Sequence, residues 1–182
     1  MQTRGECNIR PFIFYTKTKD MKQIHDNLFI GNDIDCRAAI CNSEFAIIHA
    51  CKTCHQKKLG YEKSLPANHE HYLIYENDSH LFLNMVDMPN EFRAEFTNPM
   101  FARAMDFIRR AAPRKVLVHC NQGLSRSPSL GMMWLVINGV IAKDSQCSAV
   151  ADFLKIYPDY APGNGIKLYM QNNWDYLIRM AL

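Results

Sequence analysis

The chain has 182 residues, 48% of them hydrophobic and 21% charged, with a formal net charge of +3. This suits one globular domain over residues 1–182 with a sizeable core, and the mild positive balance tolerates acidic or phosphorylated partners without arguing for nucleic acid. No apolar run approaches the ~18 residues that cross a bilayer. The cysteine count is seven, and the opening MQTRGECNIRP lacks the charged start and apolar stretch of a secretion signal. Reduced thiols in a cytoplasmic or nuclear protein are expected, not a disulfide framework.

In chain order, FIFYT (12–16) and QIHDNLFIG (23–31) read as strands, the second closing at Gly31. A short helix is expected over Asp33 to Cys41, then the strand FAIIHAC (45–51). Lys52 to Glu70 is polar, holds Gly60 and Pro66, and reads as a long loop, with 52–71 as an insertion. HYLIY (71–75) and LFLNMV (81–86) read as strands, with a turn over Asp87 to Asn90. Phe101, Ala104, Met105 and Ile108 recur at helical spacing within Thr97 to Ala111. KVLVHC is a strand. Pro128 to Asn138 is apolar nearly all round, the mark of a buried helix, and stops at Gly139. Helices follow over Ser145 to Ile156 and Gly163 to Met180. The alternation implies an α/β fold with a central, mostly parallel twisted sheet flanked by helices.

The stretch VLVHCNQGLSRSP, Val116 to Pro128, joins a buried strand to the buried helix. A loop of this kind aims backbone N–H groups and the positive end of a helix dipole at one point, which makes an anion site. Gly123 permits the tight curl, Ser125 is placed to cap the helix, and Pro128 falls in its first turn. Asn121, Gln122, Gly123, Leu124, Ser125 and Arg126 are the expected phosphate-binding residues. Cys120 lies at the mouth, where such a field favours thiolate and can bring a cysteine pKa from ~8.5 to below 7. Arg126 offers a planar fork of donors suited to phosphate oxygens.

The loop HCNQGLSRSP resembles the active-site signature of the dual-specificity branch of the cysteine-dependent protein phosphatases, His-Cys-x5-Arg followed by Ser or Thr. The resemblance implies that fold, Cys120 as nucleophile, and Ser127 as the hydroxyl that assists breakdown of the thiophosphate intermediate. It implies His119 as the residue that orders the loop and keeps the thiol acidic. The family's acid lies some thirty residues before the cysteine, which points to Asp87, with Asp78, Glu91 and Glu95 as rivals. IHDNLFIGN resembles the family's opening strand pair. APGNGIKLYMQNNW resembles a late segment whose Asn braces the active-site loop, which points to Asn164. Gln122, where many relatives carry Ala, and the Cys-, His- and Lys-rich 52–71 stretch depart from the pattern.

The expected activity is hydrolysis of phosphotyrosine and phosphoserine or phosphothreonine in a protein substrate, with no metal or organic cofactor. An RNA 5′ end or a phosphoinositide is the alternative substrate. A silent phosphopeptide-binding module, or another cysteine–oxyanion enzyme such as a sulfur transferase or arsenate reductase, is the alternative class. CKTCH (51–55) matches the haem-attachment pattern, and Cys36, Cys41, His69 and His71 are further donors, but the spacings fit no common zinc framework. Arg109, Arg110, Arg114 and Lys115 read as a solvated helix end, and Met132, Met133 and Trp134 as core.

Overall fold

The computed structural model describes residues 20–180, so the strand expected over 12–16 lies outside them. The strands are β1 (Lys22–His25), β2 (Leu28–Gly31), β3 (Phe45–His49), β4 (Ile74–Glu76), β5 (His80–Leu83) and β6 (Lys115–His119). They form one sheet in the order β1-β2-β6-β3-β5-β4. The inner four run parallel, and β1 and β4 close the edges antiparallel. Ile30, Ile47, Ile48, Leu81, Leu117 and Val118 in the inner strands are almost wholly buried. Strands covered on both faces need such continuous apolar runs.

The helices are α1 (Asp33–Ala39), α2 (Lys52–Leu59), α3 (Ala94–Ala111), α4 (Arg126–Ile137), α5 (Gln146–Ile156), α6 (Asn164–Asn172) and α7 (Trp174–Leu177). The main core joins one sheet face to α3 through α7, while Cys36, Ala39, Ile47 and Leu117 make a smaller cluster beneath α1. Side chains alternate across a strand, and β3 and β6 pair in register, Ile47 with Leu117 and His49 with His119. The smaller apolar cluster therefore continues, two residues further along each strand, into a pair of buried histidines.

Several sequence expectations change: the strand expected over 23–31 is the antiparallel pair β1 and β2, and the strands expected over 45–51 and 81–86 end at His49 and Leu83. Residues 52–59 of the expected loop are the helix α2, which buries only His55 and ends at Gly60 in the left-handed conformation. A helix with a single buried side chain shows no apolar stripe to read. The helix expected over 163–180 breaks at Asn173, whose side-chain amide donates to Tyr169 O, while Trp174 donates to Lys143 O. The strand expected over 71–75 begins only at Ile74. By contrast, Phe101, Ala104, Met105 and Ile108 are buried as their spacing implies, and so are Met132 and Met133. No helix among the described residues is long and apolar enough to cross a membrane.

Phe101 is fully buried against the Tyr169 ring, 5.4 Å between centroids, and so ties α3 to α6. Phe101→Ala is expected to cost about 3–5 kcal/mol, read as a lowered urea midpoint with an unchanged slope.

Candidate active site

β6 lies between β2 and β3, so the loop leaving it opens at the carboxyl ends of the parallel strands, where α/β proteins place ligand crevices. Gly123 adopts φ +75°, and a Cβ there would lie 3.0 Å from Gly31 O. The loop carbonyls are tied outward. Asn121 O accepts from the Asp33 amide (3.3 Å) and Leu124 O from the Ala161 amide (2.9 Å). Gly123 O accepts from the Tyr157 hydroxyl (2.9 Å), and Ser125 O from the Ser129 amide (3.1 Å) and hydroxyl (2.8 Å). Among the described residues no protein acceptor takes the amides of Gln122 to Arg126.

Cys120 is buried at the base of this loop. The Ser127 hydroxyl lies 3.2 Å from Cys120 Sγ and 3.3 Å from Gly31 O, so its proton can serve either. Arg126 opens α4 and is itself buried; its guanidinium donates to Met85 O (3.0 Å) and Asn121 Oδ1 (3.4 Å). Arg126 Nε is buried without a hydrogen-bond partner, and Asp87 Oδ2 stands 3.5 Å from it. Ser125 occupies the N-cap position but makes no side-chain cap; its hydroxyl instead accepts from the Gly163 amide at 2.9 Å. Gln122 and Leu124 are exposed or border solvent on the rim.

The candidate acid reaches the site on a braced turn. Gly165 donates to Met88 O, Phe92 donates to Gly165 O, and Asn164 Nδ2 donates to Pro89 O (2.8 Å). Asn164 thus holds the Asp87 turn, not the Cys120 loop as expected. At the start of α6 its side chain faces residues 88–90, while Ala161 and Gly163 meet the Cys120 loop. The rivals point elsewhere: Glu91 accepts from Asn172, Glu95 pairs with Arg93, and Asp78 lies on the exposed β4–β5 turn. Three of the four basic residues around the start of β6 are also paired, Arg110 with Glu76 and Asp106, Arg114 with Ser79 and Asp78 O, Lys115 with Glu44.

His119 turns to the sheet face beneath α1, where its Nε2 lies 2.7 Å from His49 Nδ1. His49 Nε2 in turn lies 3.0 Å from His80 Nδ1, and the His49 ring stacks on Phe82 at 4.1 Å. Burial brings His119 down to about 4 and His49 to about 2, so both rings are neutral near pH 7. Sequence reading singled out His119 and missed His49 and Tyr157. One signal was present for His49: IIHAC and LVHC both end a buried strand in histidine just before a cysteine. The CKTCH residues do not act as a unit, since Cys51 precedes α2 and His55 bonds the Tyr61 hydroxyl (2.8 Å).

The described chain has the dual-specificity phosphatase fold. DUSP15 superposes with a TM-score of 0.59 at 17% identity, over 89% of this chain and 94% of that one. The human tyrosine phosphatase-like serine/threonine/tyrosine-interacting protein gives 0.55 at 19% identity, over 88% and 98%. The Yvh1 phosphatase domain from Chaetomium thermophilum gives 0.54 at 21% identity, over 86% and 95%. No protein-family model matches the sequence, and no curated protein matches it.

A Cβ on Gly165 would lie 2.3 Å from both Met88 O and Asn90 O, backbone atoms that cannot swing aside. Gly165→Ala should therefore lever the Asp87 turn away from Arg126. The expected stability loss is about 1–3 kcal/mol. Turnover of an alkyl phosphate should fall more than that of an activated aryl phosphate, measured side by side.

Proposed function

We propose that this chain hydrolyses phosphoric monoesters through a cysteinyl-phosphate, and that its substrates are phosphorylated proteins. The observation that supports this best is the meeting of Cys120, Arg126, Ser127 and Asp87 at a loop four of whose carbonyls are tied outward. With the carbonyls held away, the amides of Gln122 to Arg126 are left to receive the equatorial oxygens of a phosphoryl group. Arg126 adds charge-assisted donors, and its unpartnered Nε is one of them.

In the first step the Cys120 sulfur attacks phosphorus, an S–P bond forms, and the P–O ester bond breaks opposite it. Asp87 delivers a proton to the departing oxygen, which would otherwise leave as a poor alkoxide. In the second step water attacks phosphorus, Asp87 takes the proton, and the S–P bond breaks. Ser127 donates to the sulfur as it leaves. Every group acts from this chain, and no step calls for a metal or organic cofactor. Retention of all four groups supports hydrolysis over phosphopeptide binding alone.

The rim supports peptide substrates of both types. Val86, Met88 and Leu124 are exposed apolar side chains, and Asp87 between the first two is 42% exposed. An acid on so open a turn can reach a leaving oxygen whether the phosphorus sits on a short alkyl or a long aryl side chain. Asn121, Gln122 and Leu124 contribute no positive charge for an inositol ring or a polyphosphate.

Cys120→Ser should abolish turnover and leave the melting temperature nearly unchanged; appreciable residual hydrolysis would remove the covalent mechanism. Asp87→Asn should slow alkyl phosphates by about 10²–10⁴-fold and activated aryl phosphates far less. Substrate class is read from kcat/KM on matched phosphotyrosine and phosphothreonine peptides, with 5′-triphosphorylated RNA alongside. Cleavage of both peptides within a few orders of magnitude is expected. Turnover of RNA with neither peptide cleaved would transfer the assignment to RNA 5′ ends.

A further inference from the structure

On the sheet face opposite the main core lies a cleft of about 740 Å³, which borders the phosphate loop at Asn121. Its lining includes Cys36 from α1, His49 from β3, Cys51 and Cys54 around the start of α2, and His119 from β6. Four separate elements thus bring thiols and imidazoles to one place. The donor atoms of Cys36, His49 and His119 all lie within 4.8 Å of one another, and so do those of Cys51, Cys54 and His119. The two groups share the His119 ring.

We propose that Cys36, His49, Cys54 and His119 bind one thiophilic divalent cation of the zinc class, with Cys51 beside them. Two sulfur–nitrogen contacts lie close to those of a tetrahedral site. Cys36 Sγ lies 3.7 Å from His49 Nδ1, and Cys54 Sγ lies 4.0 Å from His119 Nε2. Tetrahedral zinc with Zn–S near 2.3 Å and Zn–N near 2.05 Å sets sulfur and nitrogen ~3.5 Å apart and two nitrogens ~3.3 Å apart. The two imidazole nitrogens stand at 2.7 Å, so an ion between them needs them to part by roughly half an ångström. That shift is small beside a cleft of this size.

The chemistry agrees with the geometry. Two nitrogens facing each other at 2.7 Å share one proton, and a cation replaces it. That proton moves to the other nitrogen of its own ring, so both imidazoles stay neutral, while the thiol protons of Cys36 and Cys54 leave to solvent; binding releases protons with no change of oxidation state. Metal-bound histidines commonly engage their second ring nitrogen with a partner that fixes the ring. His49 does this already, through His80 at 3.0 Å and the stacked Phe82 ring. Two thiolates with two imidazoles select zinc-class ions over hard cations such as magnesium or calcium. The site lies beside the loop that carries Cys120, and none of its four ligands is among the groups proposed to touch the phosphoryl group.

The test uses the full chain, stripped of metal, and titrates it with Zn²⁺ against a chromophoric chelator and with Co²⁺ by absorption. One equivalent should bind, with thiolate-to-cobalt charge transfer and the intense ligand-field bands of a tetrahedral site. Cys36→Ser and Cys54→Ser should each weaken binding by more than about tenfold and diminish the charge-transfer band. Cys54 is only partly buried, so its variant remains informative if Cys36→Ser fails to fold. Cys120→Ser and the double variant Cys41→Ser/Cys147→Ser should bind as the parent does. Loss of binding in Cys120→Ser with retention in Cys54→Ser would place the ion on the nucleophile and overturn the proposal. So would octahedral cobalt spectra, or no binding at micromolar metal.

Discussion

The carbonyl oxygens of Asn121, Gly123, Leu124 and Ser125 are each held by a donor that lies outside the loop: the Asp33 amide, the Tyr157 hydroxyl, the Ala161 amide and Ser129. A buried carbonyl left unpaired costs about 1–3 kcal/mol, so these four donors decide which way each peptide plane faces. They come from α1, the end of α5, the segment before α6, and α4 itself. With the carbonyls committed, the amides have one direction left. The proposed anion site is therefore a property of the surrounding helices as much as of the loop that carries it.

The same packing sets the distances between the groups proposed to react. Gly123 must approach the end of β2 within van der Waals contact, and Ser127 then reaches both Gly31 O and Cys120 Sγ. α6 meets two loops at once. Gly163 contacts Ser125 on one side, and Asn164 and Gly165 hold the turn bearing Asp87 on the other. The candidate acid and nucleophile lie 33 positions apart in sequence, and one helix start holds their loops in register. Structure, in this sense, performs the alignment that the chemistry needs.

β6 serves two sites because side chains alternate along a strand. His119 ends β6 and turns to the face beneath α1, and Cys120, the next residue, opens the candidate phosphate loop. The parallel pairing with β3 then places His49 beside His119, and α1 and α2 close over the pair with their cysteines. The 52–59 helix, so polar that it reads as a loop, supplies one wall of that cleft.

Much of the architecture was legible in the residues alone. Apolar runs in β2, β3, β5 and β6 and the helical stripe of α3 announce the layers, because local period reflects which face is buried. The Cys120–Arg126 segment was legible because strand, glycine curl, cysteine, arginine and buried helix are contiguous, and contiguous geometry is carried by local sequence. Contacts between distant segments were not. Nothing local to Asn164 says that it meets Pro89 and not the Cys120 loop, and nothing local to Cys36, His49, Cys54 and His119 says that they converge. Those facts depend on strand order and register, which arise from the whole sheet assembling at once. The residue types came from the sequence; which of them touch was decided by the tertiary fold.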